Sequence, residues 1–253
     1  MNILTAHTLV CPISGAASEK VYLMHLFHVA DTEVICVFSE SCMLPCQFPF
    51  GSDPLIHWYH VSDGESLAHS YFRDQDQLGY QVENFKNRTS LFQDQISRGN
   101  ASLLLRRVKV QDEGEYKCYT STMRGFEQSI VNLKAEAPVS NVSIYQEENR
   151  IMCRSEGIYP KPELTWSIEP PSNTALSITT SVHQTEEKLY SISSSLVVSD
   201  DDPYLTYSCT VSTQRSRKTA AISKEGDTVW WFACWAFFGL VFMEQVTFSS
   251  HNI

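Results

Sequence analysis

Positive charge is scarce in this chain. Nineteen Lys and Arg stand against 29 Asp and Glu, for a net charge of −10. That excludes a general nucleic-acid binder, which needs a basic footprint. The acidity is spread evenly, with neither a basic arm nor an acidic tail. Charged residues make up only 19% of the chain against 43% hydrophobic, which excludes bulk disorder. Catalytic signatures are missing too: there is no Gly-x-Ser-x-Gly turn, no glycine-rich phosphate loop and no His-Glu-x-x-His. The carboxylate pairs Glu147-Glu148 and Glu186-Glu187 and the run 200–202 read as solvated turns. His57 and His60 lie three apart in a stretch that reads as a strand, so they face opposite sides and, with His69, make a poor zinc set. No enzyme, cofactor, metal or small-molecule substrate is expected.

The ends of the chain are unlike the middle. No Lys or Arg precedes Lys20, and residues 3–13 are mostly apolar, interrupted by His7 and followed by Ser14-Gly15-Ala16-Ala17-Ser18. The pattern resembles a secretory signal, so 1–17 is expected to be a signal peptide cleaved near Ala17. The competing reading is a mis-assigned start. Val229 to Met243 runs fifteen residues without a charge. As a helix it covers ~22 Å of a ~30 Å hydrocarbon core. Extension to Phe248 takes in Glu244 and Gln245, and no Lys or Arg follows Lys224 to supply the usual cytoplasmic flank. A marginal transmembrane segment over 229–248 is the expectation, with a buried core helix or a frameshifted tail as the alternative. The localisation expected is the outer side of the plasma membrane, single-pass type I, with a secreted form as the competitor.

Eight Cys, five Trp and 11 Tyr point to an oxidised, loop-rich, all-β chain. Their order carries more information. Cys46, Trp58 and Cys118 recur as Cys153, Trp166 and Cys209, and each second Cys follows a Tyr two positions earlier, Tyr116 and Tyr207. Cys…Trp…Tyr-x-Cys is the core of an immunoglobulin sandwich: a disulfide joins the two sheets, Trp packs on it, and the Tyr hydroxyl ties down a corner. The fold class is therefore tandem immunoglobulin sandwiches. The Cys46–Cys118 interval leaves room for the extra strands of a variable-type domain over 18–136, and the shorter Cys153–Cys209 interval fits a constant-type domain over 137–224. Each bridge stabilises its domain by about 4 kcal/mol on the chain-entropy model. Pro138 marks the boundary, and Tyr159-Pro160 is a candidate cis bond. Cys36 and Cys42 read either as a small extra bridge pinning a turn or as thiols free for intermolecular pairing. Asn87-Arg-Thr89, Asn100-Ala-Ser102 and Asn141-Val-Ser143 are N-glycosylation sequons, suited to a secreted surface.

Finer stretches carry a family likeness. Ile56-His57-Trp58, Asn87-Arg88-Thr89-Ser90-Leu91-Phe92, Gly99 to Arg107 (GNASLLLRR), Asp112-Glu113-Gly114 and Tyr116-Lys117-Cys118-Tyr119 resemble the B7 and butyrophilin group of costimulatory ligands. The likeness covers roughly 20–222 and is weaker in the second half. It implies a ligand that binds an immunoglobulin-type receptor on T or NK cells and modulates their activation. It also implies that binding uses the front sheet of the variable-type domain. Carried over by strand position, that face presents His57, Tyr59, Tyr71, Phe72, Lys117, Tyr119, Met123, Arg124 and Phe126. The likeness further implies an ion pair between Arg88 and Asp112 at the bottom of that sandwich. Homophilic adhesion is the alternative, because the same fold serves both and does not fix function. A secreted decoy is a third reading.

Overall fold

The computed structural model describes residues 32–49, 51–61, 64–171, 177–198 and 205–223. The expected signal peptide, Cys11, Cys234 and the apolar stretch 229–248 lie outside the described residues. Among the described residues, no helix is long and apolar enough to cross a membrane.

The first domain is a two-sheet sandwich. Its front sheet has six strands: β1 (Thr32–Val37), β3 (Leu55–His60), β4 (Ser66–Phe72), β5 (Gln75–Asp76), β8 (Gly114–Thr122) and β9 (Gly125–Glu136). They lie in the order β1-β9-β8-β3-β4-β5, with β1 parallel to β9 and the rest antiparallel. The back sheet is β2 (Cys42–Leu44), β6 (Thr89–Leu91) and β7 (Leu103–Leu105), ordered β2-β7-β6. A short helix α1 (Gln93–Ile96) connects β6 to β7. Period-two alternation builds the core: Ile56, Trp58, Tyr116, Cys118, Val131 and Leu133 face inward and are at most 1% exposed. The Trp58 indole donates to the Ala101 carbonyl at 2.8 Å, so its polar atom is satisfied while the ring packs. The Tyr116 hydroxyl donates to the Asp112 carbonyl at 2.9 Å, tying the corner into β8.

The second domain also has two sheets. One holds β10 (Ser143–Glu147), β11 (Arg150–Ile158), β14 (Tyr190–Val197) and β13 (Ile178–Gln184) in that spatial order. The other holds β12 (Glu163–Glu169), β15 (Thr206–Ser212) and β16 (Arg217–Ser223). Trp166 is half-buried against the core and donates to the Ser194 hydroxyl at 3.0 Å. Tyr159-Pro160 is cis, as is Glu169-Pro170.

Three disulfides are formed: Cys36–Cys42, Cys46–Cys118 and Cys153–Cys209. The first joins β1 of the front sheet to β2 of the back sheet. The sandwiches meet at Ala137, whose backbone exchanges two 2.9 Å hydrogen bonds with Tyr159. Val110, Ala137 and Leu189 form an apolar plug there, with Phe38 and Tyr159 packed against it. Arg215 reaches Glu33 at 3.2 Å on the same side.

Candidate binding face

The outward side of the front sheet carries a continuous aromatic row. His57 and Tyr59 alternate with inward Ile56 and Trp58 on β3, so both face out. His57 lies opposite Tyr119 of β8, and their rings stack at 6.3 Å and 22°. Tyr119 stacks in turn on Phe126 of β9 at 6.1 Å and 22°. Tyr59 closes the other end, tilted on His57 at 5.8 Å. Phe126 is 67% exposed and Met123, in the β8–β9 turn, is 81% exposed; Arg124 beside it is exposed too. Aromatic residues, Met and Arg are what interface cores favour.

One charged member of the row is committed within the molecule. Lys117 pairs with Glu65 and holds its ammonium 5.1 Å above the Tyr59 ring, so it fixes Tyr59 in place. Its charge is thereby neutralised, leaving the centre of the row aromatic and uncharged. The His57 Nδ1 is buried without a hydrogen-bond partner, and burial lowers the affinity of this ring for a second proton.

One expected residue does not belong. Tyr71 is 4% exposed, lies opposite inward-facing Ile56, and donates weakly to Asp74 at 3.4 Å. It is a core residue of β4. Phe72, next along, is half-buried with the Arg73 guanidinium 5.2 Å from its ring. Residues not anticipated from the sequence stand at the edge beyond β4: Tyr80 is 90% exposed and Leu78 39%. The apolar–aromatic pair in the polar run Gln77-Leu78-Gly79-Tyr80 was the available signal.

Other surfaces differ. The outward positions of β15 and β16 carry Thr206, Ser208, Thr210, Thr219 and Ser223, with hydroxyl pairs at 3.0 Å (Thr206–Ser223) and 2.8 Å (Thr210–Thr219). That face offers no aromatic anchor. Asn87 precedes β6 and Asn100 precedes β7, so both sequons of the first domain border its back sheet; Asn141 precedes β10. Asn87 and Asn141 are exposed. Asn100 is half-buried, donating to Gln95 Oε1 at 2.7 Å and accepting from the Ser102 amide at 2.9 Å.

At the bottom of the sandwich, Arg88 and Asp112 form the expected pair, both buried and joined through two guanidinium nitrogens. The Arg88 Nη1 also donates to the Asn84 carbonyl at 3.0 Å and Nε to the Arg106 carbonyl at 3.1 Å. Burial pushes the Asp112 carboxyl up, and the Lys109 amide and Arg88 pull it back.

The sequence divides as the sandwiches do. Residues 30–136 match the immunoglobulin V-set domain, and residues 134–220 match the butyrophilin subfamily 3 member A2-like immunoglobulin constant domain. The protein is thus a tandem V-set and C2-set immunoglobulin protein. Its homologues are B7 and butyrophilin proteins. Human HERV-H LTR-associating protein 2 is 31% identical over 217 residues, covering 83% of this chain and 50% of that protein. Human V-set domain-containing T-cell activation inhibitor 1 is 33% identical over 135 residues, covering 51% of this chain and 47% of that protein. The crystal structure of bovine butyrophilin superposes with a TM-score of 0.61 at 25% identity, covering 76% of this chain and 94% of that one. The chain spans about half the length, or less, of these curated relatives. They are immunoglobulin-domain proteins and not enzymes.

Proposed function

We propose that this chain is a cell-surface ligand whose V-set front sheet docks an immunoglobulin-type receptor on T or NK cells and modulates their activation. The observation that carries the reading is the Tyr59–His57–Tyr119–Phe126 row, preorganised by ring stacking and ending in exposed Phe126 and Met123. Rigid aromatics with few rotamers lose little entropy on docking, which favours them as anchors. The sequons give independent support, because the two in this domain border the opposite sheet. The name of one relative, T-cell activation inhibitor, fits a role in lymphocyte regulation. Display at the plasma membrane through 229–248 belongs to the same proposal.

The test is a binding stain. A bivalent fusion of residues 18–227, made in a secretory host, is applied to resting and activated lymphocytes beside a Tyr119→Asp version of matched melting temperature. Saturable binding that the variant loses supports the proposal. No staining of any lymphocyte subset by correctly folded protein overturns it, and strong self-association in sedimentation would then favour homophilic adhesion.

A further inference from the structure

The outer amides and carbonyls of a sheet's edge strands have no neighbour in that sheet, and such edges are ordinarily blunted by shortness, charge or proline. Most edges here follow that rule. β1 carries Glu33, β5 is two residues long and holds Asp76, and β2 and β6 have three residues each. In the second domain β10 carries Glu147, β12 begins at Glu163 and ends at Glu169 before Pro170, and β16 carries Arg217 and Lys218. β13 is the exception. Its seven residues, Ile-Thr-Thr-Ser-Val-His-Gln, include no Lys, Arg, Asp, Glu or Pro, and Ile, Thr and Val give it strong strand propensity. Among the described residues, no strand lies beyond it in the sheet.

The hairpin with β14 sets which groups are free. The Val197 amide donates to the Ser177 carbonyl at 3.0 Å, and the Thr185 amide donates to the Leu189 carbonyl at 2.8 Å. Between them the pairing runs from Ile178 to Gln184 without a register shift. Backbone groups alternate sides along an antiparallel strand. The odd-numbered residues therefore bond to β14, while Ile178, Thr180, Val182 and Gln184 turn their amides and carbonyls to the open edge. Side chains alternate as well. Ile178 and Val182 stand opposite Leu196 and Ile192, which are buried, yet Ile178 is 45% exposed and Val182 only half-buried. Thr179, Ser181 and His183 belong to the outer face and are exposed.

An antiparallel copy of the same strand fits this edge. Centred on Ser181, it sets Thr180 against Val182 and Ile178 against Gln184 of the other copy. All the free residues then fall in hydrogen-bonded pairs, and Ser181 meets Ser181 in a non-bonded pair on the two-fold axis. Moving the centre to Thr180 or Val182 leaves a free residue at one end of the strand unpaired. The pairing opposes no like charges, and it extends the inner face of the sheet beside Ile178 and Val182. The Asn141 sequon precedes β10, at the opposite edge of the sheet, so a glycan there leaves β13 clear. We propose that β13 is a self-pairing edge, through which two copies of this chain join their four-stranded sheets into one continuous antiparallel sheet. The inference is independent of what docks on the V-set front sheet, which belongs to the other domain.

The experiment is disulfide trapping on the whole 253-residue chain, made in a secretory host and read on non-reducing gels. In a non-bonded antiparallel pair the Cα atoms lie about 4.5 Å apart, within the span of a disulfide. Ser181→Cys is therefore expected to give a reducible dimer band about tenfold stronger than any from the unsubstituted chain. Thr179→Cys and His183→Cys each lie two residues off the axis. Neither is expected to crosslink alone, and the two are expected to crosslink when co-expressed, because Thr179 faces His183 of the other copy. Adding Tyr119→Asp to Ser181→Cys should leave the band unchanged. No excess band from Ser181→Cys overturns the proposal. So do equal bands from Ser181→Cys and Thr179→Cys, which would report collision and not register. Capture of other proteins in place of a second copy overturns it too, as does loss of the band with Tyr119→Asp, which would put self-association on the front sheet.

Discussion

The Tyr159 hydroxyl of the second domain donates to Glu113 of the first at 2.5 Å, and the other oxygen of the same carboxylate accepts from the Ala135 amide at 3.0 Å. One side chain thus bonds to both sandwiches across the Ala137 junction. The contact raises the Tyr159 phenol to about 12, through burial first and the Glu113 carboxylate second.

Tyr159→Phe is expected to loosen this junction while leaving each sandwich folded. A hydrogen bond to a charged group is worth about 1.5–3 kcal/mol. The Ala137 and Tyr159 backbone amides, which bond to one another's carbonyls, should lose exchange protection in the variant. The Trp58 and Cys209 amides should not. Unchanged protection at Ala137 would place the stability of the junction in the apolar plug of Val110 and Leu189 instead.

Arg88→Ala is expected to be among the most damaging single substitutions in the V-set domain. It leaves Asp112 buried and its charge uncompensated, and two backbone carbonyls lose their donor. Breaking a buried pair from one side costs about 3–5 kcal/mol. At roughly 4–8 °C per kcal/mol for a domain of this size, the melting midpoint should fall by more than about 10 °C. An unchanged midpoint in calorimetry would refute the structural role.

The three disulfides are not equivalent. Cys36–Cys42 closes six residues and Cys46–Cys118 closes 72. On the chain-entropy model these contribute about 2 and about 4 kcal/mol. Joint replacement of Cys36 and Cys42 by Ser should therefore leave a folded V-set domain whose denaturation midpoint is lowered modestly, with an unchanged m-value. Replacement of Cys46 and Cys118 should prevent folding at 37 °C. Urea titration of the two variants separates the cases.

The sandwiches were legible in the sequence because their signals are local or strictly spaced. Cys46, Trp58, Tyr116 and Cys118 meet in one core, and their types and order suffice to place them. The candidate face was only partly legible. Tyr71 points inward because β4 is registered with Ile56 opposite Tyr71, and a bulge between Trp58 and Tyr59 shifts the rest of the pairing. In Ser66–Phe72 both alternating sets contain apolar residues, so parity could not be read from composition. The Glu113–Tyr159 contact spans 46 residues and two domains, and no periodicity encodes it. Lys117 and Glu65 lie 52 residues apart, and no local pattern pairs them.

That correction gives the face a sharper test. If the stacked row docks the partner, Phe126→Ala should weaken lymphocyte staining by about 30-fold, the roughly 2 kcal/mol of an interface hot spot. Tyr71→Phe should leave staining unchanged, because its ring is buried and only a 3.4 Å hydroxyl contact is lost. Lys117→Ala should fall between them: it removes no partner contact of its own but frees Tyr59 and unpairs Glu65 on the surface. Equal losses for Tyr71→Phe and Phe126→Ala, with melting temperatures preserved, would move the docking surface off this row. Full binding by Phe126→Ala would do the same and leave the Leu78–Tyr80 edge as the next surface to test.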